Sequence, residues 1–365
     1  MKFKNGLLFD TGSQTFRAGG FVCENGEICE LKEHEDAFDC EGDLILPGLI
    51  DIHTHGRNGM DFISADVSQL QELRRFYALK GVTTVVPSLA SETLDKMLDA
   101  VSRIREAGFS AVHLEGRYMN PVRRGGHPLP LLAPLDPKEI ALFRERAGDM
   151  HLHVSAAYEL DEDGSFLQAV LDCGGTASLA HTDASYDKAL DIVARGARSF
   201  THLFNAMPPI HHRAGGAILA GLLSDAYTEV ICDGFHLAPE TIRLIHKVKS
   251  PERVILITDS MEGAGCPDGD YIVAGQAVYV RGGKAYTAEG TISGSTLDLF
   301  DGVKNYASFC GIPLSEAINP ASINPATMLG LPKVGKLAVG YRADFLRLSP
   351  KLELKEVYVG GVRVN

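Results

Sequence analysis

The segment Leu46-Pro47-Gly48-Leu49-Ile50-Asp51-Ile52-His53-Thr54-His55-Gly56 decides how this chain is read. It is a short apolar run that ends in two histidines one residue apart. In an extended strand successive side chains alternate faces, so His53 and His55 project the same way and two imidazole nitrogens can reach one cation. An HxH pair alone is a weak signal, because histidines on a strand also serve as ordinary hydrogen-bonding groups. The sequence around it supplies the weight.

From Leu46 onward, short apolar stretches alternate with longer amphipathic ones, the pattern of parallel βα units. The predicted strands are 48–55, 82–89, 111–115, 151–158, 177–181, 198–203, 229–232 and 254–259. Helices are predicted at 69–80, 94–106, 138–146, 186–194 and 239–249. Eight alternations predict an α/β fold, a (β/α)8 TIM-like barrel. Residues 271–287 read as an inserted hairpin and 296–310 as a further helix. Residues 1–45 and 336–365 carry short strand-like segments between glycines, and neither end alone supplies a stable sheet. The two termini are therefore expected to build a small β-sandwich domain beside a hydrolase barrel domain spanning 46–335.

A chain of 365 residues is long enough for this arrangement. Hydrophobic content of 45%, charged content of 22% and 38 glycines fit a compact α/β protein and argue against disorder. The formal net charge of -12, with no concentrated basic stretch, argues against a nucleic-acid partner. No apolar run approaches the roughly 18 to 20 residues that span a bilayer, so no membrane partner is expected. Seven scattered cysteines without a CxxC pair read as reduced thiols. With no leader-like opening, a cytoplasmic location is the expectation.

Barrels of this kind carry their reactive groups where strands end, at the C-terminal face. His53 and His55 end the first predicted strand, Glu115 the third, His181 the fifth and Asp259 the eighth. His202 lies at the end of the sixth, and His236 follows the seventh. Imidazole and carboxylate ligands suit Zn²⁺ or a similar divalent ion, and a catalytic site keeps a position open. Singly, His202 reads equally as a core hydrogen-bonding group and Asp259 as a helix cap; seven such groups at one face read as a site. Glu115, followed by Gly116, is placed for ligation rather than for a core. His113 shares its face one layer deeper and is expected to support the ligands. His151 and His153 begin their strand, at the opposite face, and are assigned no metal. His211 and His212 flank Arg213 in a loop that suits either an anion contact or solvent exposure. His34 and His246 read as surface residues.

With these residues in place, the chain resembles the N-acetylglucosamine-6-phosphate deacetylases, a family of the amidohydrolase superfamily. The resemblance rests on residues 47–56 together with His113-Leu114-Glu115-Gly116, Ala180-His181-Thr182-Asp183-Ala184, Thr201-His202-Leu203-Phe204-Asn205-Ala206-Met207 and Thr258-Asp259-Ser260-Met261. Gly290-Thr291-Ile292-Ser293-Gly294-Ser295, Asn324-Pro325-Ala326 and Gly340-Tyr341-Arg342-Ala343-Asp344 extend it over nearly the whole length. It implies that Glu115, His181 and His202 hold a principal divalent metal ion, Zn²⁺ first, with Fe²⁺, Mn²⁺ and Co²⁺ as alternatives. His53 and His55, with Asp259, leave room for a second ion, hence one or two per chain. Asp259 matches the catalytic aspartate, and His127 the histidine that polarises the acetamide carbonyl. Gly126, His127, Asn205, Ala206, Asp233, His236, Ile292, Ser293 and Gly294 match substrate-binding positions. Arg213 matches a residue that reaches the sugar phosphate from the neighbouring subunit of a homodimer.

The residue types support that chemistry. A divalent ion acidifies water and polarises a carbonyl, Asp259 can carry a proton, and His127 can stabilise an oxyanion. An Arg fork binds phosphate bidentately, so an acidic chain can still hold a small anionic amino-sugar phosphate. Two segments depart from the family pattern: Arg117-Tyr118 stands where Pro-Phe is usual, and Ala214-Gly215-Gly216 where Glu-Pro-Gly is usual. Both put the sugar or its anionic group in question, which leaves the N-acetylgalactosamine 6-phosphate epimer and other N-acyl substrates as alternatives. Arg117, Arg123 and Arg124 are expected to be a solvated rim. A dihydroorotase-like cyclic-amide hydrolase is disfavoured because the fourth strand ends in Ala156-Ala157-Tyr158-Glu159, without the metal-bridging Lys. A non-catalytic metal or sugar-phosphate binder is disfavoured because Asp259 and His127 are both present.

Overall fold

The computed structural model describes residues 1–273 and 276–364. Eight parallel strands, Leu49–Thr54, Val82–Leu89, Ala111–Leu114, His151–Ala156, Thr176–Leu179, Ser199–Phe200, Tyr227–Ile231 and Val254–Ile257, pair in chain order. The ring closes just beyond the ends of the last and first strands. There Asp259 donates its backbone N–H to the His53 carbonyl at 2.8 Å, and Thr54 and Ser260 form a parallel bridge.

Helices cover the strands, and their starts are written in the sequence. Val67–Ala78 opens with a capping box between Asp66 and Gln69. Pro137–Ala147 places proline in its first turn behind an Asp136 cap, and Tyr186–Ala194 is capped by Ser185. Two barrel helices, Ser165–Asp172 and Gly216–Leu223, each only eight residues long, fall outside the expected set. The second reads Gly-Ala-Ile-Leu-Ala-Gly-Leu-Leu and is apolar almost all round, so it has no amphipathic stripe to detect. The sixth strand is only two residues long where 198–203 was the expectation, because the backbone turns at Thr201 to aim His202 into the barrel mouth.

Alternation sorts each strand. Ile50 and Ile52 join Ile255, Ile257, Ala326 and Met328 in one buried apolar cluster, whereas Asp51 and His53 point to the barrel axis. The axis is polar to an unusual degree. His113 sits between Ser88 Oγ at 2.8 Å and Ser155 Oγ at 2.7 Å, and Ser155 continues to Thr201 and Ser178. These buried groups satisfy one another, as buried polar groups must.

The two chain ends meet in one eight-stranded sheet. Leu44–Pro47 is its joint: it runs parallel to Lys2–Asp10 on one side and antiparallel to Phe345–Leu348 on the other. The rings of Phe3 and Phe21, 4.8 Å apart, and of Phe345 and Tyr358, 4.4 Å apart, fill it from both ends. After the eighth barrel strand comes a three-stranded sheet, Gly269–Val273, Gln276–Arg281 and Lys284–Thr287. Ala274 and Gly275 of the expected hairpin lie outside the described residues. Gln276 Nε2 donates to the Gly126 carbonyl at 3.0 Å, which ties this insertion to the barrel mouth.

Candidate metal centre and active site

Glu115 stands one residue beyond the third strand, and its carboxylate is the hub of the mouth. Oε1 lies 2.9 Å from His202 Nε2 and 3.2 Å from His181 Nε2, and those two nitrogens are 3.2 Å apart. Oε2 lies 3.0 Å from His55 Nε2, which is 3.3 Å from Asp259 Oδ1. His53 Nε2 is 3.4 Å from Glu115 and 3.6 Å from Asp259. Three of these residues sit in left-handed backbone, His181 at φ 44°, His202 at 29° and Asp259 at 50°. Side chains other than glycine occupy that region at a cost, and such residues gather where function demands an aim the strand cannot provide.

Proton placement shows what the cluster accepts. His181 Nδ1 faces the Arg123 carbonyl at 2.9 Å, and His55 Nδ1 faces the Ser88 carbonyl at 3.2 Å. A carbonyl only accepts, so each Nδ1 carries a proton and each Nε2 is the nitrogen turned to the centre, where an ion can displace any proton it holds. His53 obeys the same rule through Glu229, whose Oε2 is 3.1 Å from Nδ1. Burial alone would raise the Glu229 carboxyl, but the neighbouring His153 ring and the hydrogen bond from His53 outweigh it and bring it down to about 2. His53 Nε2 itself is buried with no hydrogen-bond partner among the described residues. Burial also opposes charge on His53 and His55, yet Glu115 and Asp259 hold both above the usual histidine range, His55 at about 9. Imidazole nitrogens converging beside two carboxylates, in a field that draws positive charge, fit a divalent metal ion that would take the place of those protons. The residues divide into two overlapping donor groups that share Glu115: His53, His55 and Asp259 on one side, His127 and His181 on the other, with His202 Nε2 2.9 Å from Glu115 beside the second.

A cavity of about 360 Å³ opens over the cluster. His55, Glu115, His181, His202 and Asp259 form its floor. Gly126, His127, Asn205, Ala206 and His236 line one part of the wall, and Ile292, Ser293 and Gly294 another. Burial lowers His127 to about 3, with the nearby His181 adding to the effect, so its ring is neutral. Asp233 stays behind the wall, where Oδ2 holds His236 Nδ1 at 2.7 Å. Arg213 is not in this cavity. It is exposed, pairs with His212 Nε2 and borders a separate depression near Asp183 and Tyr186. No lysine or arginine among the described residues lines the catalytic cavity.

The expected solvated rim is corrected in one place. Arg117 is half-buried, with Nε 3.2 Å from Glu139 and Nη1 on the Glu92 carbonyl. Arg123 pairs with Asp183 at 2.7 Å, and Arg124 is exposed while donating to the His127 carbonyl. His246 is also half-buried, 3.0 Å from the Tyr306 hydroxyl. His151 and His153 share Thr176 Oγ1 at the far end of the barrel. Glu229 escapes the strand-end criterion because it lies mid-strand, but a lone carboxylate in Tyr227-Thr228-Glu229-Val230-Ile231 is its visible signal.

Comparison with known proteins agrees with this site. The amidohydrolase family model matches residues 44–364. The N-acetylglucosamine-6-phosphate deacetylase of Bacillus subtilis is 33% identical over 324 residues, covering 85% of this chain and 82% of its own. The N-acetylgalactosamine-6-phosphate deacetylase of Escherichia coli O157:H7 is 32% identical, covering 88% of each. Among solved structures, a mutant of the Mycobacterium smegmatis N-acetyl-D-glucosamine-6-phosphate deacetylase, in complex with N-acetyl-D-glucosamine-6-phosphate, superposes with a TM-score of 0.92 at 31% identity, covering 100% of this chain and 99% of the other. A polar-cored barrel beside a sheet built from both chain ends, with His and carboxylate ligands gathered at the barrel mouth and this sequence match throughout, makes the chain a member of the amidohydrolase family.

Proposed function

We propose that this protein hydrolyses the acetamide of N-acetylglucosamine 6-phosphate, giving glucosamine 6-phosphate and acetate. The observation that carries the reading is one cavity in which Asp259 and neutral His127 flank the Glu115, His181 and His202 cluster. A divalent ion held by Glu115, His181 and His202, with Zn²⁺ the first choice, supplies Lewis acidity toward a carbonyl and a water molecule.

The chain's own residues supply the rest. Asp259 is held ionised: burial would raise it, but the charge of His53 and the hydrogen bond from His55 lower it. It accepts the proton of the attacking water at a carboxylate oxygen and returns it to the departing amine nitrogen. His127 donates a hydrogen bond to the acetamide oxygen as negative charge develops there. Asp233 holds His236 by its Nδ1, so that Nε2 faces the sugar. Asn205, Ala206, Ile292, Ser293 and Gly294 enclose the sugar, and His53 with His55 offers a second ion position.

No lysine or arginine among the described residues lines the cavity, and a sugar phosphate needs a fixed cation. Arg213 from a second copy of the chain meets that need in a homodimer, which suits its exposed position away from its own cavity. The galactosamine epimer is the second reading, favoured by the similarity to the Escherichia coli relative. Purified metal-replete protein should release acetate from N-acetylglucosamine 6-phosphate, with kcat/KM above that for the epimer. Absence of acetate release from both sugars would reject the assignment.

A further inference from the structure

Two residues beyond the second barrel strand, Ser91 is fully buried and makes a set of hydrogen bonds whose directions are all determined. Its Oγ accepts the backbone N–H of Arg117 at 2.8 Å. The same Oγ lies 2.8 Å from His127 Nδ1, and the Ser91 backbone N–H also points at that nitrogen, at 3.3 Å. A backbone N–H only donates, so Nδ1 is an acceptor. With Nδ1 an acceptor for the backbone N–H, the Ser91 hydroxyl at 2.8 Å can only donate to it, while Oγ accepts from Arg117. A neutral imidazole has one N–H, and two donors on Nδ1 leave that proton on Nε2. Nε2 is the nitrogen on the cavity side, 3.8 Å from Glu115 Oε2.

The other end of this chain of bonds is anchored with equal care. Arg117 holds a left-handed backbone, φ 58°, which a non-glycine residue adopts only when its surroundings compel it. Its guanidinium on Glu139 and the Tyr118 hydroxyl, 2.6 Å from the same carboxylate, supply that restraint. The pair Arg117-Tyr118 thus aims a backbone N–H at Ser91, a position that proline could not serve, having neither the N–H nor access to positive φ.

We propose that Ser91 is a positioning residue that locks His127 as its Nε2–H tautomer, so that the ring presents a donor rather than a lone pair to the acetamide oxygen. This rests on the deacetylase reading for its consequence, but the tautomer itself does not depend on it. The test uses zinc-loaded protein labelled with ¹⁵N-histidine, with His127 assigned by His127→Asn, and compares wild type, Ser91→Ala and Ser91→Thr. Wild type should show a bare Nδ1 and a protonated Nε2. Ser91→Ala should show mixed tautomers, and kcat should fall about tenfold or more with KM within about twofold. Ser91→Thr should restore both. A protonated Nδ1 in wild type, or a Ser91→Ala protein with unchanged tautomer whatever its kcat, would overturn the proposal. Unchanged kcat despite mixed tautomers would overturn its catalytic consequence. A wild-type protein that releases no acetate, while Ser91→Ala still mixes the tautomers, would reject the deacetylase reading and leave the lock standing.

Discussion

Replacing Glu229 by Gln tests how the barrel axis supports the metal centre. The carboxylate is completely buried, with Oε2 3.1 Å from His53 Nδ1 and 3.2 Å from the His202 N–H, and Oε1 3.6 Å from His153 Nε2. Glutamine preserves the shape and one acceptor oxygen but removes the charge. A hydrogen bond to a charged group contributes about 1.5 to 3 kcal/mol, against about 0.5 to 1.5 for a neutral one. The His53 ring therefore loses roughly 1 to 1.5 kcal/mol of orienting energy, about a five- to tenfold weaker hold on an ion at the His53, His55 and Asp259 group. The group of His181 and His202 meets Glu229 only through a backbone N–H, so its affinity should change less than about twofold. Chelator titration of the loaded protein, with elemental analysis at each plateau, separates the two classes. Equal weakening of both, or retention of every ion at wild-type chelator concentration, would refute the orienting role assigned to Glu229.

Three further outcomes follow from the same geometry. Asp259→Asn should lower kcat by about 10² to 10⁴ while the ion on Glu115, His181 and His202 remains, as elemental analysis would show. Arg213→Ala should raise KM for the phosphorylated sugar by about 10- to 100-fold without changing hydrolysis of unphosphorylated N-acetylglucosamine, measured by initial rates. Lys249, buried with Nζ on the Gly221 and Ser224 carbonyls, has its amine lowered to about 8, chiefly by burial. The unfolded chain then binds the more protons between pH 8 and 10.5, so this group's contribution rises with pH across that window. Urea unfolding should show wild type gaining about 1 kcal/mol on Lys249→Met between pH 7 and 9.

The legible parts of the fold are those governed by local periodicity. The apolar runs at Leu49 and Val82, and the capped helix that begins at Val67, follow from alternation and end signals that neighbouring residues alone produce. Helix Gly216–Leu223 is hidden because residues buried on all sides carry no period, and the sixth strand is short because tertiary packing turns the backbone at Thr201. Among site residues, His53, His55, Glu115, His181, His202 and Asp259 are marked by their position at strand ends. Ser91 and Glu229 are not, since their roles consist of bonds to residues 36 and 176 positions away in sequence.

By itself the sequence determined the parallel barrel, the contribution of both termini to a sheet and the set of ligand-bearing strand ends, because these follow from the periods of side-chain direction along the chain. Only the tertiary structure decided which nitrogen of each histidine faces the centre, that Glu115 is shared by both donor groups, and that Arg213 stands outside its own cavity. Hydrogen-bond direction and distance are properties of residues brought together by the closed barrel, and no local pattern encodes them.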